Sequence, residues 1–473
     1  MGKLLFTAIE RSCTGPIMSE EKFETELFPT VLGDLQKKYK IEWNPDDGVM
    51  IDPDMADAIF QAGLELLLEV GLYCKDTKRI IKFTQEEVLE AIATARHEVT
   101  FGEGHDTFTI SPRAPGDAKR LYTFSPAGAL TKDLDLYRTH ARTVMQEPTV
   151  DGVIPLPLLG IGDLKNIIDT PAQTVVCQTE ARMMNEVAAW AGRPGMFFGI
   201  PMSATTAHAM MSSFGPGLYN KHNCTMPVQI LQDMRVNNDR FNLAFFADQH
   251  GIEPWMSCSP AIYAYLTGPE QAAMEIIAHT LGMLCYSGGS LTQAMSISVH
   301  GTYTGKDISW CNSAAGLAAE RNLKLPWITF GSTGSPGSAF SDDAWYGTAL
   351  ACISASISGM EGLWLAGGGT GLEARWAGEM ARAAATLTPK EGREIINKIY
   401  TALNEPAKTS AAEMEGTPTG SSLSDIYDLK TLQPKAEFVQ QYRKFTRIFQ
   451  DLGLDYPTWN RSDADAEASR QER

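Results

Sequence analysis

The sequence lacks several features that would assign it to a function class at once. No stretch approaches the roughly 18 uninterrupted apolar residues of a membrane span, so none is predicted. Basic residues are in the minority, with 40 Lys and Arg against 57 Asp and Glu, and the net charge of −17 argues against a nucleic-acid surface. The eight cysteines are scattered and none forms C-x-x-C, so neither a zinc finger nor a disulfide framework is predicted.

The beginning of the chain does not have the pattern of a secretory signal. In "MGKLLFTAIERSC" the apolar run is too short for a signal-peptide core and is followed by charge. Scattered cysteines of this kind are typical of reduced thiols, so we expect a cytoplasmic protein. The apolar fraction of 44% and the charged fraction of 21% are typical of a folded chain with a sizeable core.

The first 144 residues are predicted to form a helical and partly β-like elaboration. Asp52 or Asp54 is a suitable cap for a helix, and a Thr84–Glu87 capping box begins a second one. From 99 to 135 the pattern becomes short and β-like. The first helix has apolar residues at helical spacing, namely Met55, Ile59, Ala62, Leu66 and Val70.

From about residue 150 short apolar runs alternate with amphipathic helices, which predicts parallel strands joined by right-handed crossovers. An open doubly wound sheet would place G-x-G-x-x-G after its first strand, and "LAGGGTGLEAR" comes late with the wrong spacing. We therefore predict an α/β fold, a (β/α)8 TIM barrel over 145–457 with a C-terminal helical segment, and a polar tail over 458–473. The strand candidates include "VDGVIPLPL", "GMFFGIP", "FNLAFFAD", "PWMSCS", "MSISVHG", "LPWITFGS" and "GLWLAGGG".

In such a barrel the functional residues lie where strands end. His250, with Asp248 and Gln249 beside it, follows the predicted strand "FNLAFFAD", so these three are the catalytic candidates. Phe197 and Phe198 alternate along one strand, so only one of them can face the interior. The substrate-binding candidates near other strand ends are Phe198, Gly199, Cys258, Tyr263, Trp327 and Phe330.

Structural roles compete with these assignments. An aromatic ring near a strand end more often packs in the core than binds a ligand. A lone histidine more often makes structural hydrogen bonds than takes part in catalysis. Arg375 and Glu379 have the spacing of an intrahelical ion pair. Zinc would need three or four converging ligands, so we predict no metal site from the scattered Cys and His. The glycines at 367–369 suit either close approach of a flat ligand or a tight turn. The zinc candidates near predicted strand ends are His250, Cys258, Cys285 and His300.

Four segments in the right order resemble one enzyme family. They are "AGRPGM" after "QTEARMMNEVAAW", residues 62–92, residues 371–384, and "DIYDLKTLQP" with "YRKFTRIFQDLGLDY". Together they resemble the corrinoid-dependent monomethylamine methyltransferases of methanogens. The resemblance implies a (β/α)8 barrel, assembled as a hexamer, that passes a methyl group to the Co(I) of a separate corrinoid protein. This chain has no D-x-H-x-x-G cobalamin motif, so the partner would supply the corrinoid.

The pocket positions depart from that family. Its amine enzymes carry pyrrolysine a few residues after "AGRPGM", where this chain has Gly199 and no unusual amino acid. The family's acidic residues fall here on 256–259, and its late polar contacts fall on Trp327 and Phe330. We therefore expect a homologue without pyrrolysine whose donor is a methylated or quaternary amine held by aromatic rings. The alternatives are a non-catalytic ligand-binding or regulatory barrel and a zinc-assisted methyltransferase for another donor.

Overall fold

Apolar runs bounded by glycine or proline form seven parallel strands, which build the central sheet. The computed structural model describes residues 4–49, 52–298, 305–332, 342–366, 369–402 and 422–455. In chain order the strands are β1 (Tyr122–Ala127), β2 (Gly152–Pro155), β3 (Met226–Pro227), β4 (Pro254–Cys258), β5 (Leu291–Ala294), β6 (Trp327–Ser332) and β7 (Gly362–Ala366).

The sheet has the strand order β2-β1-β7-β6-β5-β4-β3, and every neighbouring pair is parallel. The first and last strands along the chain are therefore neighbours, and Phe124 on β1 lies opposite Trp364 on β7. The two edge strands, β2 and β3, contact the same segment, residues 197–199, so the sheet curls back on itself. One face of the curled sheet becomes an interior, and the other is covered by helices.

Residues 197–199 lie between the two edge strands, β2 and β3. The Val153 N–H donates to the Phe197 carbonyl over 2.8 Å, and the Thr225 N–H donates to the Gly199 carbonyl over 2.7 Å. Both edges of the sheet are thus hydrogen-bonded to the same short extended segment. An open sheet with two exposed edge strands, the alternative considered from the sequence, is not what the structure shows.

Helices cover the outer face of the sheet and its N-terminal side. As predicted, Asp52 caps the helix over 53–70, and the Thr84–Glu87 capping box begins the next helix. Among the helices that the structure describes, none is long and apolar enough to cross a bilayer. The helices are α1 (Leu5–Thr14), α2 (Phe28–Tyr39), α3 (Pro53–Val70), α4 (Gln85–Ala93), α5 (Leu134–Met145), α6 (Pro171–Trp190), α7 (Ala207–Ser212), α8 (Asn238–His250), α9 (Pro269–Ser287), α10 (Lys306–Asn322), α11 (Asp342–Ile357), α12 (Gly371–Ala384), α13 (Pro389–Ala402) and α14 (Ala436–Asp451).

Short elements complete the fold. Helical turns span Glu20–Lys22, Phe23–Leu27, Pro45–Asp47, Gly104–Asp106 and Leu423–Ile426. The small sheets pair Leu72–Cys74 with Arg79–Ile81 and Arg235–Val236, Val99–Phe101 with Phe108–Ile110, Gly160–Ile161 with Leu164–Lys165, Ala261–Ile262 with Ile297–Ser298, and Tyr427–Asp428 with Gln433–Pro434.

The hairpin formed by Val99–Phe101 and Phe108–Ile110 closes the amino end of the sheet. Its apolar side chains belong to the same buried cluster as the interior residues of the strands. The rings of Phe101 and Phe197 stack with centroids 4.2 Å apart. The Glu103 N–H also donates to the carbonyl of Gly195, just before residues 197–199. We call residues 99–110 the amino-end plug.

Three buried carboxylates tie the strands together at this same end. Each stands immediately before a strand and accepts a hydrogen bond from a backbone N–H at the start of a neighbouring strand. Such bonds satisfy donors that would otherwise be buried without a partner. The pairs are Asp151 with Thr123 at 2.9 Å, Glu253 with Ser290 at 2.6 Å, and Glu361 with Trp327 at 2.6 Å.

Three details differ from the sequence prediction. Within the described residues the candidate "MSISVHG" contributes only Ile297–Ser298, to a small sheet, and the strand of the central sheet is Leu291–Ala294 just before it. The strand predicted at "FNLAFFAD" is wrong, because Asn238–His250 is a helix whose Asn237 cap accepts from the Arg240 N–H. The boundary predicted at residue 144 falls after β1, so the segment described as an elaboration contributes the first strand of the sheet. The strand itself agrees with the short β-like pattern predicted for 99–135.

Candidate functional site

Aromatic side chains fill the interior of the curled sheet. Alternation along each strand turns every second residue inward, which places Phe124, Phe197, Trp255, Phe330 and Trp364 in one cluster. The rings of Phe197 and Trp255 are stacked with centroids 6.4 Å apart. Trp364 meets Trp255 edge-on at 6.0 Å and Phe330 at 5.7 Å. Phe330 is half-buried and Trp364 keeps 8% of its surface exposed, whereas the other three are fully buried. We call these five residues the aromatic interior.

One amide stands beside the aromatic interior. Gln293 on β5 is fully buried, and its Oε1 accepts from the indole Nε1–H of Trp255 over 2.9 Å and from the Ser257 hydroxyl over 3.2 Å. An indole Nε1–H can only donate, so this bond fixes which end of the amide faces β4. The Gln293 Nε2 therefore points away from β4, and within the described residues it has no hydrogen-bond partner.

A cavity opens at the carboxyl end of the sheet above Ser257. Its volume is about 350 Å³, which suits a small molecule. Because Ser257 both borders the cavity and donates to Gln293, the amide lies one side chain below the cavity. The lining residues are Lys75, Gln229, Ile230, Leu231, Gln232, Arg235, Ser257 and Ser259.

The two cations of this cavity are already paired. Arg235 donates to Asp233 over 3.0 Å and also contacts Glu24. Lys75 lies 3.3 Å from Glu20. Burial raises the pKa of Asp233 to about 7, and the neighbouring carboxylate of Glu275 adds to the shift. The cavity wall thus offers hydrogen-bond donors and no unpaired carboxylate.

Glu180 on α6 holds the loop that follows residues 197–199. Its carboxylate accepts from the Met202 N–H over 3.1 Å, from the Tyr219 hydroxyl over 3.0 Å and from the Ser203 hydroxyl. The residue is fully buried. Burial raises the pKa of Glu180 to about 7, and the three hydrogen bonds only partly offset that shift. No motif in the sequence distinguishes this glutamate from an ordinary helical one.

We expect Glu180 to make stability fall as the pH rises from about 4.5 to 7. In that interval the folded protein holds the proton and the unfolded chain has released it, which destabilises the fold by about 3 kcal/mol at pH 8 relative to pH 4. In the Glu180→Gln variant the unfolding free energy, measured by urea unfolding, should no longer show this fall with pH. Glu186→Gln, on the same helix but half-exposed beside Arg138, is the control and should leave it unchanged. Equal slopes for wild type and Glu180→Gln would contradict the assignment.

Three of the predicted substrate-binding residues face away from the interior. Phe198 packs outward against Tyr219, with ring centroids 5.7 Å apart, and Phe197 takes the inward position. Trp327 and Cys258 belong to the outer core between sheet and helices. The sequence predicted correctly that only one of Phe197 and Phe198 faces inward, but the choice of Phe198 was wrong.

Phe330 and Tyr263 lie at the carboxyl side, as predicted. Phe330 packs at the edge of the aromatic interior. Tyr263 follows the short strand Ala261–Ile262 and has a positive φ of 63°, which is uncommon for a bulky residue. Burial and the nearby Asp307 raise the pKa of Tyr263 to about 12, so it remains protonated at neutral pH.

The predicted catalytic residues do not reach the interior. Asp248, Gln249 and His250 form the last turn of α8, which ends at Gly251 in the left-handed conformation. This turn precedes β4 and therefore lies towards the amino end of the sheet. His250 is exposed, and its ring packs on Phe246 with centroids 4.2 Å apart. These three residues were predicted to be catalytic because they follow "FNLAFFAD", which was predicted to be a strand and is a helix.

The metal candidates are not brought together in the part of the chain that is described. There, no group of three or more His, Cys, Asp or Glu side chains has the arrangement of a metal site. His300, Gly367 and Gly368 lie outside the described residues. Glu379 accepts from the Arg375 guanidinium over 3.1 Å on α12, which confirms the predicted intrahelical pair.

Gly199, a substrate-binding candidate from the sequence, forms a tight corner of the backbone. Its φ is +63°, and a Cβ built on it would lie 2.1 Å from Cδ1 of Ile154. Its carbonyl accepts from both the N–H and the hydroxyl of Thr225, at 2.7 and 2.6 Å. Glycine is thus required by the corner itself, and a leucine there would be strained rather than readily accommodated.

Gly199→Ala is expected to cost about 2–4 kcal/mol of unfolding free energy, from left-handed strain plus overlap with Ile154. Gly192→Ala is the matched control, because Gly192 has φ +75° but open space around it, and should cost about 1 kcal/mol. Ile154→Val alone should lower the unfolding free energy by about 1 kcal/mol. Combined with Gly199→Ala it should instead raise the unfolding free energy of that variant, because it removes the Cδ1 atom that the new Cβ overlaps. Urea unfolding of the four variants checks this. Equal losses at 192 and 199 would show that Ile154 imposes no restriction.

Comparison with known proteins assigns the chain to a class. The family model for the monomethylamine methyltransferase MtmB matches residues 4–454. Monomethylamine methyltransferase MtmB3 of Methanosarcina barkeri is 28% identical over 459 residues, covering 94% of this chain and 97% of the relative. MtmB2 of Methanosarcina acetivorans is 26% identical over 456 residues with the same coverage. A crystal structure of the Methanosarcina barkeri enzyme superposes with a TM-score of 0.85 at 21% identity, over 96% of this chain and 98% of that one.

These matches extend over nearly the whole chain and agree with the curled parallel sheet and its helices. The protein is therefore a member of the monomethylamine methyltransferase MtmB family. The family resemblance read from the sequence is confirmed.

Proposed function

We propose that this chain is a methyltransferase that passes a methyl group from a small methylated amine to the Co(I) of a separate corrinoid protein. Family membership supports methyl transfer. The single observation that supports the choice of donor is the aromatic interior, which Ser257 and Gln293 connect to a cavity whose lining residues include no carboxylate. Among the described strand residues, none of the inward positions carries a carboxylate.

The architecture we infer is a closed (β/α)8 barrel in which residues 197–199 act as the missing strand. Their hydrogen bonds to Val153 on one side and to Thr225 on the other support this inference. Counted with the seven strands of the sheet, they complete a ring. In such barrels the carboxyl end carries the active site, which is where the cavity opens.

The chemistry of the donor favours a quaternary amine. A nucleophilic displacement needs a leaving group, and a quaternary ammonium leaves as a neutral tertiary amine without proton transfer. Such a cation requires alignment and a surface that attracts charge without a covalent bond. Partly exposed rings such as Trp364 and Phe330 provide that surface, each contributing about 0.5–2 kcal/mol by cation–π attraction.

The position of Gly199 supports action without pyrrolysine. The family resemblance aligns this position with the reactive side chain of the amine enzymes. Here the backbone is left-handed and the space beyond Cα is taken by Ile154. No side chain that could capture an amine covalently projects from this corner, so the donor we propose is one that needs no capture.

The chain's own residues fit a donor site rather than a corrinoid site. A cavity of about 350 Å³ holds a small molecule and does not enclose a macrocycle. The partner's reduced cobalt would supply the nucleophile, approaching from the carboxyl end. The expected homo-oligomer, a hexamer by resemblance, remains a proposal that light scattering of the purified protein would test.

The test mixes the protein with Co(I) cobalamin and a panel containing monomethylamine, tetramethylammonium and other quaternary amines. We expect the spectrum of methylcobalamin with at least one quaternary donor and little with monomethylamine. Calorimetric titration of the same panel separates binding from turnover. Binding without methyl transfer would favour a ligand-binding homologue, and efficient demethylation of monomethylamine would overturn the donor assignment.

A further inference from the structure

We infer that Gln293 is a substrate-binding residue whose free Nε2 donates to an oxygen atom of the methyl donor. The donor would then be a quaternary amine that also carries an oxygen acceptor. This inference rests on the proposed function and specifies its substrate class. It starts from an unpaired hydrogen-bond donor on a residue that belongs to no sequence motif.

The orientation of the amide is fixed by chemistry. The oxygen and nitrogen of a glutamine are told apart by the hydrogen bonds around them. Here the Trp255 indole can only donate, so an exchanged amide would put two N–H groups face to face. The Ser257 hydroxyl, which donates to the same Oε1, also loses its acceptor if the amide turns.

The remaining Nε2 carries two N–H donors in a fully buried position. A buried donor without a partner is costly, and native proteins leave few of them. The neighbouring aromatic rings offer no comparable acceptor. Gln293 is not among the residues that line the cavity, but Ser257, which lies opposite it in the sheet, is. We therefore expect the group that satisfies Nε2 to enter past Ser257 and to occupy the side of the amide that faces away from β4.

The polarity of this amide selects among quaternary amines. An NH2 group carries partial positive charge, so it disfavours an ammonium placed directly against it. An oxygen of the donor, either a carboxylate or a hydroxyl, would meet Nε2 while the ammonium lies against the rings of Trp364 and Phe330. The polar cavity wall and the paired cations Lys75 and Arg235 are compatible with an oxygen-bearing molecule.

Gln293→Glu is the most informative variant. It keeps an oxygen acceptor for Trp255 and Ser257 and replaces only the free donor by an oxygen. With the new carboxyl ionised at pH 9, the affinity for an oxygen-bearing donor should fall at least tenfold, while tetramethylammonium should bind equally well or more tightly. Gln293→Met, which removes the donor without adding charge, should weaken only the oxygen-bearing donors.

The experiment measures Kd by calorimetry for tetramethylammonium, choline and glycine betaine on the full-length protein. Choline and glycine betaine separate a hydroxyl from a carboxylate as the acceptor. Thr292→Val is the control: its buried hydroxyl lies on the same strand but on the outward face, so it should leave the Kd ratios unchanged. Circular dichroism and thermal unfolding verify that each variant is folded.

A selective loss for choline or glycine betaine in both Gln293 variants supports the inference. Equal weakening of all three ligands, tetramethylammonium included, would overturn it and leave Gln293 as a support for Trp255. Wild-type protein that binds none of the three would instead contradict the proposed function. The two failures are therefore distinguishable.

Discussion

Replacing Trp364 by leucine is expected to lower kcat/KM for a quaternary methyl donor by about 30-fold. A desolvated cation–π contact contributes about 2 kcal/mol, and 1.4 kcal/mol corresponds to a factor of ten. Trp364 keeps 8% of its surface exposed and lies edge-on to Trp255 at 6.0 Å. Leucine keeps an apolar surface there but offers no aromatic face, so the loss isolates the attraction for charge.

Choline and its neutral isostere 3,3-dimethylbutan-1-ol provide the comparison for the Trp364→Leu variant. Binding of choline should weaken by about the same factor as turnover, whereas the neutral compound should change less than threefold. Trp327→Leu is the matched control, because Trp327 faces the helix layer and should affect stability alone. If Trp364→Leu weakens both ligands equally, the ring acts by packing and the cation–π account fails.

Arg113→Met is expected to cost about 3–5 kcal/mol of unfolding free energy, the largest stability effect we predict. The guanidinium is almost completely buried and donates to four backbone carbonyls. Methionine would leave these oxygens without partners inside the protein. The acceptors are the carbonyls of Ser356 at 2.9 Å, Met360 at 3.3 Å, Asp117 at 2.8 Å and Ala385 at 2.7 Å.

Arg113 also faces the carboxylate of Glu361. Burial raises the pKa of Glu361 to about 8, and the positive charge of Arg113 works against that rise. Without the arginine, Glu361 should hold its proton to still higher pH. Arg321→Met is the control, since Arg321 pairs with Asp57 at an exposed position where such pairs contribute less than about 1 kcal/mol. Urea unfolding measures both variants. A loss below 1 kcal/mol at Arg113 would show that water reaches its four acceptors.

The alternation of strands and helices made most of the sheet predictable from the sequence. "PWMSCS", "LPWITFGS" and "GLWLAGGG" each contain a strand of the sheet. "FNLAFFAD" failed because its apolar residues suit a buried strand as well as a helix. The flanking Asn237 and Gly251 cap the two ends of the helix, and they were the sequence signal that favoured a helix over a strand.

The site was less predictable, because inward and outward positions on a strand differ by one residue. Trp327 points to the helices while Ile328 beside it points inward, and only the register between strands fixes this difference. Gln293 carries no motif in the sequence. Its importance is visible only when Trp255, 38 residues earlier, is found to donate to it.

On the proposed function, the amino-end plug sets the order in which the methyl donor and the corrinoid protein bind. With residues 99–110 packed against Phe197, the interior is reached from the carboxyl end, where the cavity lies. A donor and a corrinoid protein would share that entrance, so the donor must arrive first and the demethylated product must wait until the larger partner departs. Steady-state kinetics should then be sequential with a compulsory order, and excess corrinoid protein should inhibit by trapping the product inside.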